Sequence, residues 1–179
     1  MNLVLIGVMG CGKTTVGRML AKRLKLRFVD MDAEIEREHG SITGIFERLG
    51  EDGFRDLETA MAERIAGEDG LVVSTGGGVV KRPQNLDALR HNGLVVFLDR
   101  PAAEILKTLR TDTRPLLKDH PERLHTILEE RYPLYLAQCD QRVDASGTFR
   151  TTLARIISVW NRANRKEMST EKTRHSHKK

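Results

Sequence analysis

A chain of 179 residues, 39% of them apolar, can bury one sizeable core and fits a single domain. It has no apolar run of about 18 residues, which excludes a membrane-spanning helix. Its 30 Lys/Arg and 25 Asp/Glu leave a net charge of +5, and residues 161–179 carry all of it, with seven basic against two acidic side chains. Residues 1–160 are neutral, which argues against a nucleic-acid surface on the domain; the end of the chain reads as a basic, solvated, disordered tail. Cys11 and Cys139 are too few for a disulfide framework, and no spacing of Cys or His reads as a zinc site. The chain opens as a strand at residue 2 without a leader pattern, so a cytoplasmic monomer acting on small molecules, with no membrane or nucleic-acid partner, is expected.

The apolar run Asn2–Ile6 reads as a strand buried on both faces. Lys13–Leu24 places Val16, Met19, Leu20 and Leu24 at helical spacing. Leu26–Val29 is a short strand ending at Asp30, and Ala33–His39 is a helix that Gly40 breaks. Ser41 can cap the next segment, where Ile42–Leu49 and Glu51–Ala66 read as two helices. Leu71–Ser74 is a third strand, followed by three glycines. Pro83–Arg90 is helical with Pro at its start, Leu94–Leu98 is a fourth strand, and Pro101 opens a helix to about Leu109. RTDTRPLLKDHP, from Arg110 to Pro121, is polar and proline-interrupted, so it reads as a loop or lid. Glu122–Ala137 is helical with an interruption at Pro133, Arg142–Asp144 is a short fifth strand, and Thr148–Trp160 is a closing helix.

Strands alternating with helices imply right-handed crossovers and a parallel, doubly wound α/β sheet. Ligands of such sheets sit beyond the carboxyl ends of the strands. That directs attention to Gly7–Thr15, Asp30–Asp32, Ser74–Gly78 and the segment after Leu98.

Gly7 to Thr14 fits G-x-x-x-x-G-K-[ST] between a strand and a helix. Glycines let backbone N–H groups turn inward into an anion nest, and the helix start adds partial positive charge. Gly10, Cys11, Gly12, Lys13, Thr14 and Thr15 are therefore the candidate nucleotide-binding residues. Lys13 would reach the β- and γ-phosphates, and the Thr14 hydroxyl would serve Mg²⁺. The third strand ends in Ser74 and Thr75 rather than in an acid, so Asp30 and Asp32 are the nearest carboxylates for the metal and for an acceptor. Either could instead be a helix cap. Cys11 reads as a small packing residue, with a redox-sensitive thiol as the alternative.

A regulatory GTPase would need an N-K-x-D stretch, which is absent. A small chain with a phosphate loop and a basic, proline-bounded lid favours a small-molecule kinase that closes to exclude water. Arg55, with Glu58 three residues on, and Arg131 suit a carboxylate or phosphate. Gly76, Gly77 and Gly78 permit close backbone approach to a ligand.

With these motifs in order, the chain resembles the shikimate kinases, a nucleoside-monophosphate-kinase-like branch of P-loop proteins. The resemblance covers Asn2 to Trp160 and rests on the phosphate loop, DMD at Asp30–Asp32, GFRDLE around Arg55, the glycine triplet, TRPLL around Arg114 and RYPLY around Arg131. It implies a three-layer fold with a five-stranded parallel sheet of order 2-3-1-4-5, helices on both faces, a substrate-binding region at about 31–62 and a mobile lid at about 109–121. The implied reaction moves the ATP γ-phosphoryl group to the 3-hydroxyl of shikimate, in aromatic amino-acid synthesis. Asp32 would bind the acceptor and take up its proton, and Lys13 and Arg114 would surround the migrating phosphate. Arg55, Arg131 and the triplet would hold the acceptor; Asp30 and Ser74 would hold magnesium through water. Arg110 would match an adenine-contacting arginine, and Ser146 and Gly147 would meet adenine by backbone. A gluconate-type kinase is the alternative of similar size, against which the triplet with Arg55 and Arg131 speaks.

Overall fold

The strand segments are short and apolar, and the segments between them carry one apolar stripe each, so strands bury centrally and helices cover them. A computed structural model describes residues 1–108 and 123–176, with backbone alone at Thr108 and over 166–176. In chain order the elements are β1 Asn2–Ile6, α1 Lys13–Leu24, β2 Arg27–Asp30, α2 Met31–His39, α3 Ile42–Ala66, β3 Leu71–Ser74, α4 Pro83–Arg90, β4 Gly93–Asp99, α5 Ala102–Thr108, α6 Arg123–Gln138, β5 Gln141–Asp144 and α7 Phe149–Ser176. A short 3-10 turn at Val79–Lys81 joins β3 to α4. The five strands pair in parallel in the order β2-β3-β1-β4-β5. This is the expected order, with helices packed against the sheet and connecting its parallel strands.

Central position explains the composition of β1. Leu3, Val4, Leu5 and Ile6 are all fully buried, because β3 and β4 flank the strand and helices cover it. α1 lies close against the sheet at Gly17, where a β-carbon would stand 2.6 Å from the Phe28 ring. α3 is two helical segments joined at a kink, with Gly50 at φ 69° and ψ −174°. The kink falls between the two helices expected from sequence and lets Phe46 and Phe54 meet across it, ring centroids 4.9 Å apart. Ser41 caps α3, accepting a hydrogen bond from the Gly44 amide at 3.2 Å.

Two expectations change. Pro133 lies within α6 without ending it. Leu124, Ile127, Arg131 and Tyr135 bury along one face, which outweighs a single missing helix bond. α7 continues past Trp160 to Ser176. Leu153, Ile156 and Trp160 anchor its first half, and extending an anchored helix needs no further apolar stripe. Among the described residues no helix is long and apolar enough to cross a membrane.

Candidate active site

Parallel strands all end on one edge, so the loops after β1, β2 and β3 meet there. The phosphate loop follows β1. Gly7, Gly10 and Gly12 have φ of 145°, 81° and 106°, and Gly12 leads directly into α1. At Gly7 a β-carbon would lie 2.9 Å from both Cys11 Sγ and the Leu98 carbonyl oxygen. Lys13 is buried and donates from Nζ to the carbonyls of Gly7 at 2.6 Å and Val8 at 3.1 Å, so it braces the loop that it serves. Cys11 is 1% exposed, and its amide donates to the Val8 carbonyl at 3.3 Å. Its thiol is thus a packing group shielded from solvent, and the loop's own turn already uses its amide.

The residues expected at magnesium come together. Thr14 Oγ1 donates to Asp30 Oδ2 at 2.7 Å and stands 3.3 Å from Ser74 Oγ. Parallel pairing of β2 with β3 sets Asp30 beside Ser74. The second Asp30 oxygen accepts the Ala33 amide at 3.4 Å, so one carboxylate both caps α2 and reaches the phosphate loop. The cluster consists of oxygen atoms only, which fits a hard divalent cation.

The glycine triplet after β3 is the meeting point of the second group. A β-carbon at Gly76 would lie 2.7 Å from Asp32 Oδ1 and 2.8 Å from Glu58 Oε1, and one at Gly77 would lie 3.2 Å from the Met9 amide nitrogen of the phosphate loop. At Gly78 it would collide with the Arg55 guanidinium. Arg55 donates from Nη1 to Glu58 Oε2 at 2.7 Å and from Nη2 to Glu51 Oε1 at 3.3 Å. Burial pushes the Glu58 carboxyl above its usual range, against the pull of Arg55. Arg131 Nη1 donates to the Gly77 carbonyl at 3.1 Å, and the buried Tyr135 hydroxyl donates to the same oxygen at 2.5 Å. Burial also raises the Tyr135 hydroxyl, which keeps it a donor. Arg55 Nε, Glu58 Oε1 and Arg131 Nε are buried with no hydrogen-bond partner among the described residues. Buried polar atoms are normally satisfied, so their gathering around one turn marks a polar ligand site.

A family model for shikimate kinase matches residues 9–161. The chain belongs to the shikimate kinase family. It is therefore a phosphotransferase whose acceptor is an alcohol group. A shikimate kinase of Clostridium botulinum is 42% identical over 159 residues, covering 88% of this chain and 96% of the relative. One from Halorhodospira halophila is 48% identical over 160 residues, covering 87% and 90%. Among solved structures, the shikimate kinase of Acinetobacter baumannii in complex with shikimate superposes with a TM-score of 0.84 at 38% identity, covering 90% of this chain and 93% of that one. A gluconokinase from Sinorhizobium meliloti reaches a TM-score of 0.60 at 21% identity, which shows a common fold alone.

Of the residues expected in a shikimate kinase site, the structure gathers Lys13, Thr14, Asp30, Asp32, Arg55, Ser74, Gly76, Gly77, Gly78 and Arg131 at one sheet edge. Gly10 and Gly12 lie in the phosphate loop, and Thr15 is exposed on the first turn of α1. Arg114, Arg110 and the lid at about 109–121 lie outside the described residues. The amides of Ser146 and Gly147 are engaged by Asp144 and Glu104, at 2.9 and 3.2 Å. Sequence reasoning gave no role to Tyr135 or Glu51, or to Phe149, whose ring is 3.2 Å from a β-carbon placed on Gly12. The Arg131–Tyr135 spacing of four was the available signal for Tyr135; nothing local marks the other two.

Proposed function

We propose that this chain transfers the γ-phosphoryl group of ATP to the 3-hydroxyl of shikimate, giving shikimate 3-phosphate and ADP. The observation that carries the proposal is the glycine triplet. It touches the phosphate loop through Gly77 and gathers Asp32, Arg55, Glu58 and Arg131 around itself. An acceptor held there lies beside the nucleotide loop, and its carboxylate meets two guanidiniums with buried, unused N–H groups. The shikimate bound by the Acinetobacter relative supports the same acceptor.

Phosphoryl transfer depends on positioning and on neutralising charge. Arg55, Arg131 and the triplet orient shikimate by its carboxylate and ring. Asp32 holds the acceptor hydroxyl and receives its proton. The hydroxyl oxygen forms a bond to the γ-phosphorus, the bond to the β–γ bridging oxygen breaks, and ADP leaves. Lys13 and the lid residue Arg114 carry positive charge to the migrating group. The amides of the phosphate loop hold the β- and γ-phosphates. Thr14 would ligate Mg²⁺ directly, with Asp30 and Ser74 acting through water. When bound with ATP, Mg²⁺ neutralises charge on the phosphates. In the same reading the enzyme acts in the cytoplasm as a monomer without a nucleic-acid partner.

ATP consumption measured with shikimate, with gluconate and with no acceptor tests this reading. Turnover is expected with shikimate alone. Equal ATP loss without it, or faster turnover on gluconate, overturns the proposal.

A further inference from the structure

The Arg55 guanidinium is shared between two carboxylates of different character. Glu58 is fully buried and bonds Nη1 at 2.7 Å. Glu51 sits one helical turn earlier, with its side chain 48% exposed, and reaches Nη2 at 3.3 Å. A charge-assisted N–H···O bond is normally about 2.7–2.9 Å, so the first is tight and the second loose. Glu51 has a second cation: Lys81, at the end of the 3-10 turn that follows the glycine triplet, stands 2.5 Å from the same oxygen. The pairing with Lys81 is also the foremost reason that the Glu51 carboxyl is held below its usual range.

We propose that the acceptor carboxylate binds the Nε–Nη2 fork of Arg55, whose buried Nε–H is unpaired among the described residues, and that Glu51 is a resident carboxylate on Nη2 which the incoming acceptor displaces. This rests on the reading in which Arg55 takes that carboxylate. An acceptor carboxylate taking the unpaired Nε–H together with Nη2 comes up against Glu51 on that same nitrogen, and the like charges repel. The weaker bond yields. Glu51 keeps its shorter bond to Lys81, so it leaves Arg55 without becoming unpaired. Glu58 stays, because a buried carboxylate deprived of its partner costs far more than an exposed one. The exchange favours an acidic acceptor: a neutral polyol meets Arg55 with Glu51 still attached, gains no charge pairing and must still displace it. Glu51 and Lys81 are thus specificity-determining residues on the acceptor side.

Calorimetric titration of shikimate into the full chain without nucleotide tests this. Glu51→Gln should tighten binding about two- to fivefold, the range of an exposed ion pair. Lys81→Met should weaken it about two- to threefold, because Glu51 then leans on Arg55 alone. In the Glu51→Gln background the Lys81→Met effect should vanish, since the carboxylate it restrains is gone. Asp52→Asn, an exposed carboxylate next in the chain, should change nothing. If Lys81→Met weakens binding equally in both backgrounds, Lys81 acts through general potential and the exchange is overturned. Unchanged or weaker binding in Glu51→Gln overturns it too. Arg55→Lys separates the two levels of argument. Unchanged shikimate binding in that variant removes Arg55 from the acceptor site altogether, whereas weakened binding with no effect at Glu51 removes the exchange alone.

Discussion

At the scale of single residues, Glu58 shows how burial and pairing oppose each other. Its carboxyl lies against Gly76 beside Asp32 and holds Arg55, and desolvation raises its pKa above the ordinary 4.5. A carboxyl whose folded pKa exceeds its unfolded one binds more protons in the fold. Its contribution to stability therefore falls as pH rises from about 4.5 to the raised value, then levels off. Glu58→Gln lacks that slope. Melting curves taken upward from pH 4.5 should show the variant's Tm gaining on that of the unmodified protein; a constant gap would contradict the shift. Tyr135 contributes one hydroxyl to a carbonyl that Arg131 also serves. Tyr135→Phe should cost about 1 kcal/mol of stability, with Arg131 still covering the oxygen. It should raise the KM for shikimate severalfold and leave the KM for ATP alone. Equal changes in both constants would place Tyr135 in general packing. The types of these residues were legible in the sequence, but their partners were not, because Gly77 and Tyr135 lie far apart in the chain and meet through the sheet edge.

At the scale of elements, the two glycine-rich segments do different work. In the phosphate loop, Gly7 has φ 145° and the Leu98 carbonyl 2.9 Å from any added β-carbon. Gly7→Ala should therefore lose at least about 1–3 kcal/mol from backbone strain, read as a lowered denaturation midpoint. In the triplet, the Gly78 φ of −99° is one that any residue adopts, and the constraint is the Arg55 guanidinium. Gly78→Ala should displace Arg55 and raise the shikimate KM on the order of tenfold or more, with a small change in Tm. A large loss of Tm with unchanged KM would reverse that assignment. Strand and helix positions were largely readable, since Asn2–Ile6, Lys13–Leu24, Leu71–Ser74 and Pro83–Arg90 match their elements. Each has a clean apolar period and a clear stop. The tolerance of Pro133 was not readable, because tertiary anchoring of α6 decides it, and the end of α7 was not, because the helix runs on past its last apolar anchor.

At the scale of the whole molecule, charge and chemistry separate. The net positive charge lies in residues 161–179, while the site lies at the carboxyl edge of the sheet and draws on residues 7 to 135. α7 is anchored by Leu153, Ile156 and Trp160, and beyond Trp160 no described side chain is buried. Removing residues 166–179 should leave kcat and both KM values within about twofold and Tm within a few degrees. A lost activity would show that the tail takes part in the enzyme. By itself the sequence determined the order of elements, the parallel sheet, the phosphate loop and the family, because periodicity, glycine spacing and ordered motifs are local properties of a chain. Only the tertiary structure decided that Thr14, Asp30 and Ser74 share one oxygen cluster, that one glycine turn joins the acceptor residues to the phosphate loop, and that Arg55 is divided between a buried and an exposed carboxylate. Those facts depend on strand register and burial, which arise when distant segments pack and are written in no single stretch of residues.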